Sequence, residues 1–129
     1  MELGEQPIKK QSVLIVDDLA FMRSVLREIV EKGGFTVAAE AADGVEAVRQ
    51  YKNASPTLVL LDITMPEKDG LSALKEIKYH DRNAKVVMCS SLGQQKYIIR
   101  AIQLGAYDFI VKPFTEERVI SALQKAVAR

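Results

Sequence analysis

The sequence predicts an α/β fold, a parallel β-sheet with helical crossovers, and three observations carry that prediction. Short runs rich in Val, Ile and Leu alternate with amphipathic stretches from one end of the chain to the other, in five units. The run Leu58 to Leu61 is apolar at every position, as expected of a strand covered on both faces. A length of 129 residues with 48% hydrophobic and 27% charged residues suits one compact domain with its own core.

The elements follow in order. Ser12 to Val16 reads as the first strand, after which Met22, Val25, Leu26, Ile29 and Val30 recur at helical spacing until Gly33 and Gly34 stop them. Phe35 to Ala41 is a second strand, Asp43-Gly44 a turn, and Val45 to Lys52 a helix with Val48 and Tyr51 inward, closed by Asn53 to Pro56. The third strand, Leu58 to Leu61, ends abruptly at Asp62, before a loop from Ile63 to Asp69. Gly70 to Tyr79 carries Leu71, Leu74 and Ile77 on one helical face, and Lys85 to Cys89 is a fourth strand with Ser90 at its end. Gln94 to Leu104 presents Ile98, Ala101 and Ile102 inward before Gly105 ends it. Tyr107 to Val111 supplies a fifth strand up to Lys112-Pro113, and Thr115 is placed to N-cap a last helix. There Val119, Ile120, Leu123, Ala126 and Val127 form an apolar stripe that should pack on the sheet. Residues 1–11 lack periodicity and are expected to form a flexible N-terminal arm, with the domain spanning 12–129.

Composition excludes several function classes. Eighteen Lys and Arg against seventeen Asp and Glu leave a net charge of +1, so no bulk field steers the chain toward nucleic acid or an anionic membrane. Lys96, Arg100, Arg118, Lys125 and Arg129 make the final third basic, but Asp108, Glu116 and Glu117 are interspersed, which fits a solvated surface or a partner-docking face. No apolar run approaches the roughly 18 residues of a membrane span and the N-terminus is polar, so a cytoplasmic protein is the expectation. The one cysteine, Cys89, lies in an apolar run and reads as a buried structural thiol. His80, between Tyr79 and Asp81, reads as a solvated residue without a role.

In an open α/β sheet, ligands bind beyond the carboxyl ends of the strands. Those ends carry Asp17-Asp18 after the first strand, Asp62 after the third, Ser90-Ser91 after the fourth and Lys112 after the fifth; the second ends in Ala41-Ala42, with nothing reactive. If the first and third strands are neighbours, three carboxylates share one crevice and repel one another unless a cation joins them. Magnesium suits such a site, because it takes oxygen ligands and keeps several waters. With charge so balanced, the Asp62 carboxylate can attack phosphorus and form an acyl phosphate, while Lys112 and the Ser90 hydroxyl reach other phosphoryl oxygens.

Each residue also has a plainer reading. Asp18 alone could be a helix N-cap with Asp17 a solvated neighbour, Asp62 a loop-starting aspartate, Ser90 a small residue at a strand exit, Lys112 a surface charge and Phe109 a core aromatic. It is their joint occurrence at the strand ends that favours chemistry.

Together Val16-Asp17-Asp18, Leu61-Asp62-Ile63-Thr64-Met65-Pro66 through Asp69-Gly70, Ser90-Ser91 and Val111-Lys112-Pro113-Phe114 resemble the motif set of receiver domains of bacterial two-component signalling. The stretches Met88 to Gln95 and Ala106 to Phe114 are most similar to stand-alone chemotaxis response regulators of the CheY type. The resemblance implies a flavodoxin-like sheet of order 2-1-3-4-5 flanked by five helices. It implies that a histidine kinase phosphorylates Asp62, that Asp17, Asp18, Asp62 and the Thr64 carbonyl organise Mg²⁺, and that Lys112 contacts the phosphoryl group. The Lys112-Pro113 bond resembles the family's cis peptide. Switching is implied to draw the Ser90 hydroxyl toward the phosphate and let Phe109 rotate inward. That reshapes a face running from about Gln94 to Arg129 that docks a flagellar motor switch protein or another output protein. A phosphatase partner and a monomeric state are also implied.

Three departures from that pattern stand out: Phe109 where tyrosine is frequent, Thr64 where many members carry asparagine, and Leu92 where some are polar. Thr64 and Leu92 would flank the path of an attacking water, so slow self-dephosphorylation is expected. Three other functions compete. An aspartyl-nucleophile phosphatase would place two carboxylates alternately along one strand end, whereas Asp17 and Asp18 are adjacent. A flavin mononucleotide carrier needs a phosphate loop where Asp17-Asp18-Leu19-Ala20 would repel phosphate. A receiver belonging to a larger DNA-binding regulator is the third, although these residues hold no DNA-reading helix or basic stripe.

Overall fold

Alternation along a strand sends successive side chains to opposite faces of a sheet, so a sheet buried on both sides needs two cores. The structure, a computed structural model, describes residues 11–65, 67–91 and 95–128. Five strands, β1 (Ser12–Val16), β2 (Thr36–Ala41), β3 (Leu58–Asp62), β4 (Val86–Ser90) and β5 (Asp108–Val111), pair in parallel in the order β2-β1-β3-β4-β5. Between and after them come α1 (Ala20–Lys32), α2 (Gly44–Ala54), α3 (Gly70–His80), α4 (Ile98–Gln103) and α5 (Glu116–Val127).

One core layer joins Val13, Ile15, Leu58, Leu60, Val87, Cys89 and Ile110 of the strands to Leu26, Ile29 and Val30 of α1 and Val119, Ala122, Leu123 and Ala126 of α5. The other joins Leu14, Val16, Val59, Leu61, Val86 and Met88 to Ala47, Val48 and Tyr51 of α2, Ala73, Leu74 and Ile77 of α3, and Ala101 of α4. Every residue of β3 and β4 is buried, which is the demand that made Leu58 to Leu61 uniformly apolar. Because Val16 pairs with Leu61, Asp62 with Cys89 and Ser90 with Val111, the strands finish nearly level, and their end residues face a common crevice.

Caps and turns set several boundaries differently from the sequence pattern. Gly44 is the first residue of α2 rather than part of a turn, because the Asp43 side chain accepts the Glu46 N–H and caps the helix there. The expected cap Thr115 does accept from the Arg118 N–H. Asp18 is not an N-cap: the cap of α1 is Leu19, without a side-chain bond. β3 and β4 each run one residue further than their apolar runs, to Asp62 and Ser90, because main-chain pairing continues past the last hydrophobic side chain. The fourth helix starts as a 3₁₀ turn over Gln95–Tyr97 and is only six residues long, so one buried position, Ala101, suffices to seat it. Ile102, expected to point inward, is 61% exposed beside exposed Ile99. The main-chain ladder reaches back to Gln11, whose carbonyl accepts the Thr36 N–H at 3.0 Å; the rest of the N-terminal segment lies outside the described residues.

Candidate functional site

The β1–α1 turn presents two adjacent acids to unlike surroundings. Asp17 is 1% exposed and Asp18 is exposed. Asp17 is fixed on every side: its N–H donates to the Ala41 carbonyl at 3.1 Å, its Oδ1 accepts the Leu19 N–H at 2.9 Å, and its Oδ2 accepts Lys112 Nζ at 2.9 Å. Next to it, β3 delivers Asp62, 6% exposed, with one carboxylate oxygen 3.6 Å from the same ammonium. Carboxylate oxygens of Asp17, Asp18 and Asp62 all lie within 4.8 Å of one another.

Charges packed so closely move each other's acidities. Burial, against the pull of Lys112 and with the help of Asp17 and Asp18, pushes the Asp62 carboxyl up to about 6. Burial alone would lower the Lys112 ammonium, but its bond to Asp17 and the charge of Asp62 hold it above the ordinary lysine value. One ammonium thus serves two carboxylates, and the third, Asp18, has no ion pair among the described residues.

Ser90 closes the crevice from β4. It is wholly buried, and its Oγ has no hydrogen-bond partner among the described residues. An unmet buried hydroxyl is uncommon and invites a ligand oxygen. By strand alternation Ser90 falls on the sheet face that also holds Met88 and Phe109, and Phe109 packs half-buried against that core. The bond after Lys112, to Pro113, is cis.

Behind Asp62 the β3–α3 loop is drawn tight by a glycine. The Gly70 N–H donates to the Ile63 carbonyl at 2.6 Å, and a Cβ at residue 70 would lie 2.0 Å from the Asp62 carbonyl oxygen. Asp69 then caps α3 through the Ser72 N–H at 2.8 Å. Thr64 is exposed at the lip of a recess of about 240 Å³ that Ile63, Met65, Asp69, Leu71 and Tyr97 also line. Leu92 and Gln94 lie outside the described residues.

The structure therefore brings Asp17, Asp18, Asp62 and Lys112 together, with Ser90 at the end of the neighbouring strand. Sequence reasoning missed Arg23, whose Nη1 donates to the Asp17 carbonyl at 2.7 Å. An arginine one helical turn beyond an acid pair was the available signal, but exposed arginines are too common on helices for it to stand out.

Comparison with known proteins places this architecture in a family. The family described as the response regulator receiver domain matches residues 13–124. The chain belongs to that family. It is 56% identical over 115 residues to the chemotaxis protein CheY of Bacillus subtilis, spanning 89% of this chain and 96% of that protein. It is also 56% identical over 113 residues to CheY of Thermotoga maritima, spanning 88% and 94% of the two chains. Among solved structures, a CheX-CheY-BeF3-Mg complex from Borrelia burgdorferi matches with a TM-score of 0.88 at 40% identity, over 92% of this chain and 90% of that chain. Within the family this receiver is CheY-like, a response regulator of the chemotaxis kind, and receivers of this family act as signalling switches.

The donor set suits a hard divalent cation. All three carboxylates offer oxygen, their spacing lets one ion touch more than one of them, and burial together with the charges of Asp17 and Asp18 raises the Asp62 carboxyl despite Lys112, so an added positive charge would favour its ionised form.

Proposed function

We propose that Asp62 accepts a phosphoryl group from a chemotaxis-type histidine kinase and that Ser90 and Phe109 pass the change to the α4-β5-α5 face. The observation that carries this reading is the acidic trio within 4.8 Å, with Lys112 Nζ 2.9 Å from Asp17 and 3.6 Å from Asp62. Asp17, Asp18, Asp62 and the Thr64 carbonyl would hold Mg²⁺, which when bound supplies the positive charge that keeps Asp62 ionised and balances the transferring phosphoryl oxygens.

The chain's own residues do the rest. An Asp62 carboxylate oxygen forms the bond to phosphorus as the donor's phosphorus–nitrogen bond breaks, and the donor imidazole leaves with its electron pair. Lys112 is within reach of a phosphoryl oxygen without leaving Asp17. The Ser90 hydroxyl, without a partner among the described residues, donates to another phosphoryl oxygen and vacates space on the face it shares with Phe109. As a phenylalanine, that ring can move inward without breaking a hydroxyl hydrogen bond.

The output partner is a flagellar motor switch protein or another protein that docks on α4-β5-α5, where Ile99 and Ile102 stand exposed. A phosphatase completes the cycle; the Borrelia burgdorferi neighbour was solved in a complex with CheX, which supports a partner of that kind. Self-phosphorylation from small donors and slow self-dephosphorylation fit Thr64 at the rim of the site. The setting is the cytoplasm and the working state a monomer, with residues 12–129 as the receiver and 1–11 as its N-terminal arm. A second reading, a receiver belonging to a longer regulator, has support from the 38% identity to PdtaR of Mycobacterium tuberculosis, of which the matched region is 57%.

Acetyl phosphate or phosphoramidate with Mg²⁺ should label the wild type once, by mass, and Asp62→Asn should remove the label. Label that survives in Asp62→Asn sinks the assignment.

A further inference from the structure

The acidic pair of the β1–α1 turn is held from behind by a residue with no place in the phosphoryl chemistry. Arg23 spreads one guanidinium over two acceptors: Nη1 donates to the Asp17 carbonyl oxygen at 2.7 Å and Nε to Glu40 Oε1 at 3.2 Å. Glu40 stands on β2 in register with Ile15 of β1, and its Oε2 also takes Arg27 Nη2 at 2.7 Å. The Arg23 side chain is only 20% exposed and that of Glu40 29%, so the fork is partly sheltered from water. A planar guanidinium can satisfy two such acceptors at once, which an ammonium cannot do with the same geometry.

This bond completes the restraint of Asp17. Its N–H is tied to Ala41 of β2, and its carbonyl, through Arg23 and Glu40, is tied to the same strand one residue earlier. The peptide between Asp17 and Asp18 consequently has its plane set by β2. That plane decides where the exposed Asp18 carboxylate stands relative to Asp17 and Asp62. Without the fork the peptide can turn, and a bound cation would have to order it at the moment of binding.

We propose that Arg23, anchored by Glu40, is a positioning residue that presets the Asp17-Asp18 turn for a divalent cation. This rests on the reading of the trio as a cation site. Charge and geometry make opposite demands here, which gives the proposal a sign. As a positive charge beside an acidic pocket, Arg23 repels a cation, and its removal on electrostatic grounds alone would tighten binding. As a brace it lowers the ordering cost, and its removal weakens binding.

The test is calorimetric titration of Mg²⁺ into the full chain and four variants, with amide exchange at Leu19 followed in metal-free buffer. Arg23→Met should bind Mg²⁺ about tenfold more weakly, in the range of losses seen when an outer partner of a metal ligand is removed. Arg23→Lys, which keeps the charge and loses the fork, should be weakened as well, and Glu40→Gln likewise. Arg27→Met removes the same charge from the same glutamate without touching Asp17, and should bind as well as wild type or better. The Leu19 N–H, held by Asp17 Oδ1, should exchange faster in Arg23→Met and at the wild-type rate in Arg27→Met. Equal or tighter Mg²⁺ binding by both Arg23 variants overturns the proposal, and Arg23→Lys decides it if Arg23→Met fails to fold. If the wild type binds no Mg²⁺, the cation reading fails; unchanged Leu19 exchange in the Arg23 variants then separately overturns the brace.

Discussion

The two edges of the sheet end in polar groups of opposite character. At the amino edge, where α2 and α3 finish, the buried Tyr51 hydroxyl donates to Asp81 Oδ2 at 2.7 Å, and the ring meets His80 edge-on. Each partner answers the other: burial and then Asp81 raise the Tyr51 phenol above its ordinary value, and the bond from Tyr51 holds the Asp81 carboxyl below its own. At the carboxyl edge burial drives Asp62 the other way, up to about 6, and Ser90 Oγ meets no acceptor among the described residues. The first edge is satisfied by its own residues. At the second, one ammonium is shared by two carboxylates and the Ser90 hydroxyl has no partner among the described residues; a metal-bound phosphoryl group would bring both further positive charge and an acceptor.

Four substitutions can break or sharpen that contrast. The largest effect is expected from Lys112→Met, which leaves the Asp17 carboxylate, 1% exposed, without its ammonium. A loss of about 3 kcal/mol in unfolding free energy near neutral pH is expected, because an uncompensated buried charge remains. Asp62 should then titrate above 6, so the folded state gains protons and the loss should shrink as pH falls. Urea unfolding at neutral and acid pH reads both.

Asp62→Asn should have the opposite sign. A folded value of about 6 against an ordinary 3.8 means that wild-type stability is greatest below the ordinary value and is lost as pH rises through 6. Removing the carboxyl should raise stability by roughly 1–3 kcal/mol at neutral pH in metal-free buffer. The gain should vanish below the ordinary carboxylate value, and Mg²⁺ should stabilise the wild type more than the variant. A variant no more stable than wild type at neutral pH would remove the contrast between the edges.

Tyr51→Phe should cost about 1.5 kcal/mol at neutral pH, since the bond lost runs to a charged acceptor. Because the Asp81 value is lowered, that contribution is present above the ordinary carboxylate range and fades as pH falls, the reverse of the trend at Asp62. The smallest effect is expected at Ser90→Ala, a gain of about 0.5–1 kcal/mol in the metal-free protein from deleting a buried hydroxyl that bonds to none of the described residues. A loss there would reveal a partner for Oγ.

Much of this was legible in the residues themselves. Apolar runs mark strands when both faces are buried, so Leu58 to Leu61 and the neighbours of Cys89 declared their place, and Asp62, Lys112 and Asp17 stood out as charges at the ends of such runs. The sequence could not separate Asp17 from Asp18, because burial of one of two identical neighbours depends on how β1 turns into α1. Nor could it choose the partner of Lys112, which depends on the approach of β5 to β1 across the crevice. Ile102 misled for a third reason: helical spacing gives a face but not which side the rest of the fold covers, and a six-residue helix needs little cover. The Tyr51–Asp81 bond joins residues 30 apart and left no local trace.

Cys89 pairs in register with Asp62 on the adjoining strand, and burial pushes its thiol up to about 12. Alkylating reagents attack the thiolate, so they reach this sulfur only when the centre of the molecule opens. With one cysteine in the chain, the rate of that modification is a built-in clock for opening, read one strand away from Asp62. A ligand that tightens the crevice should slow it without any engineered label.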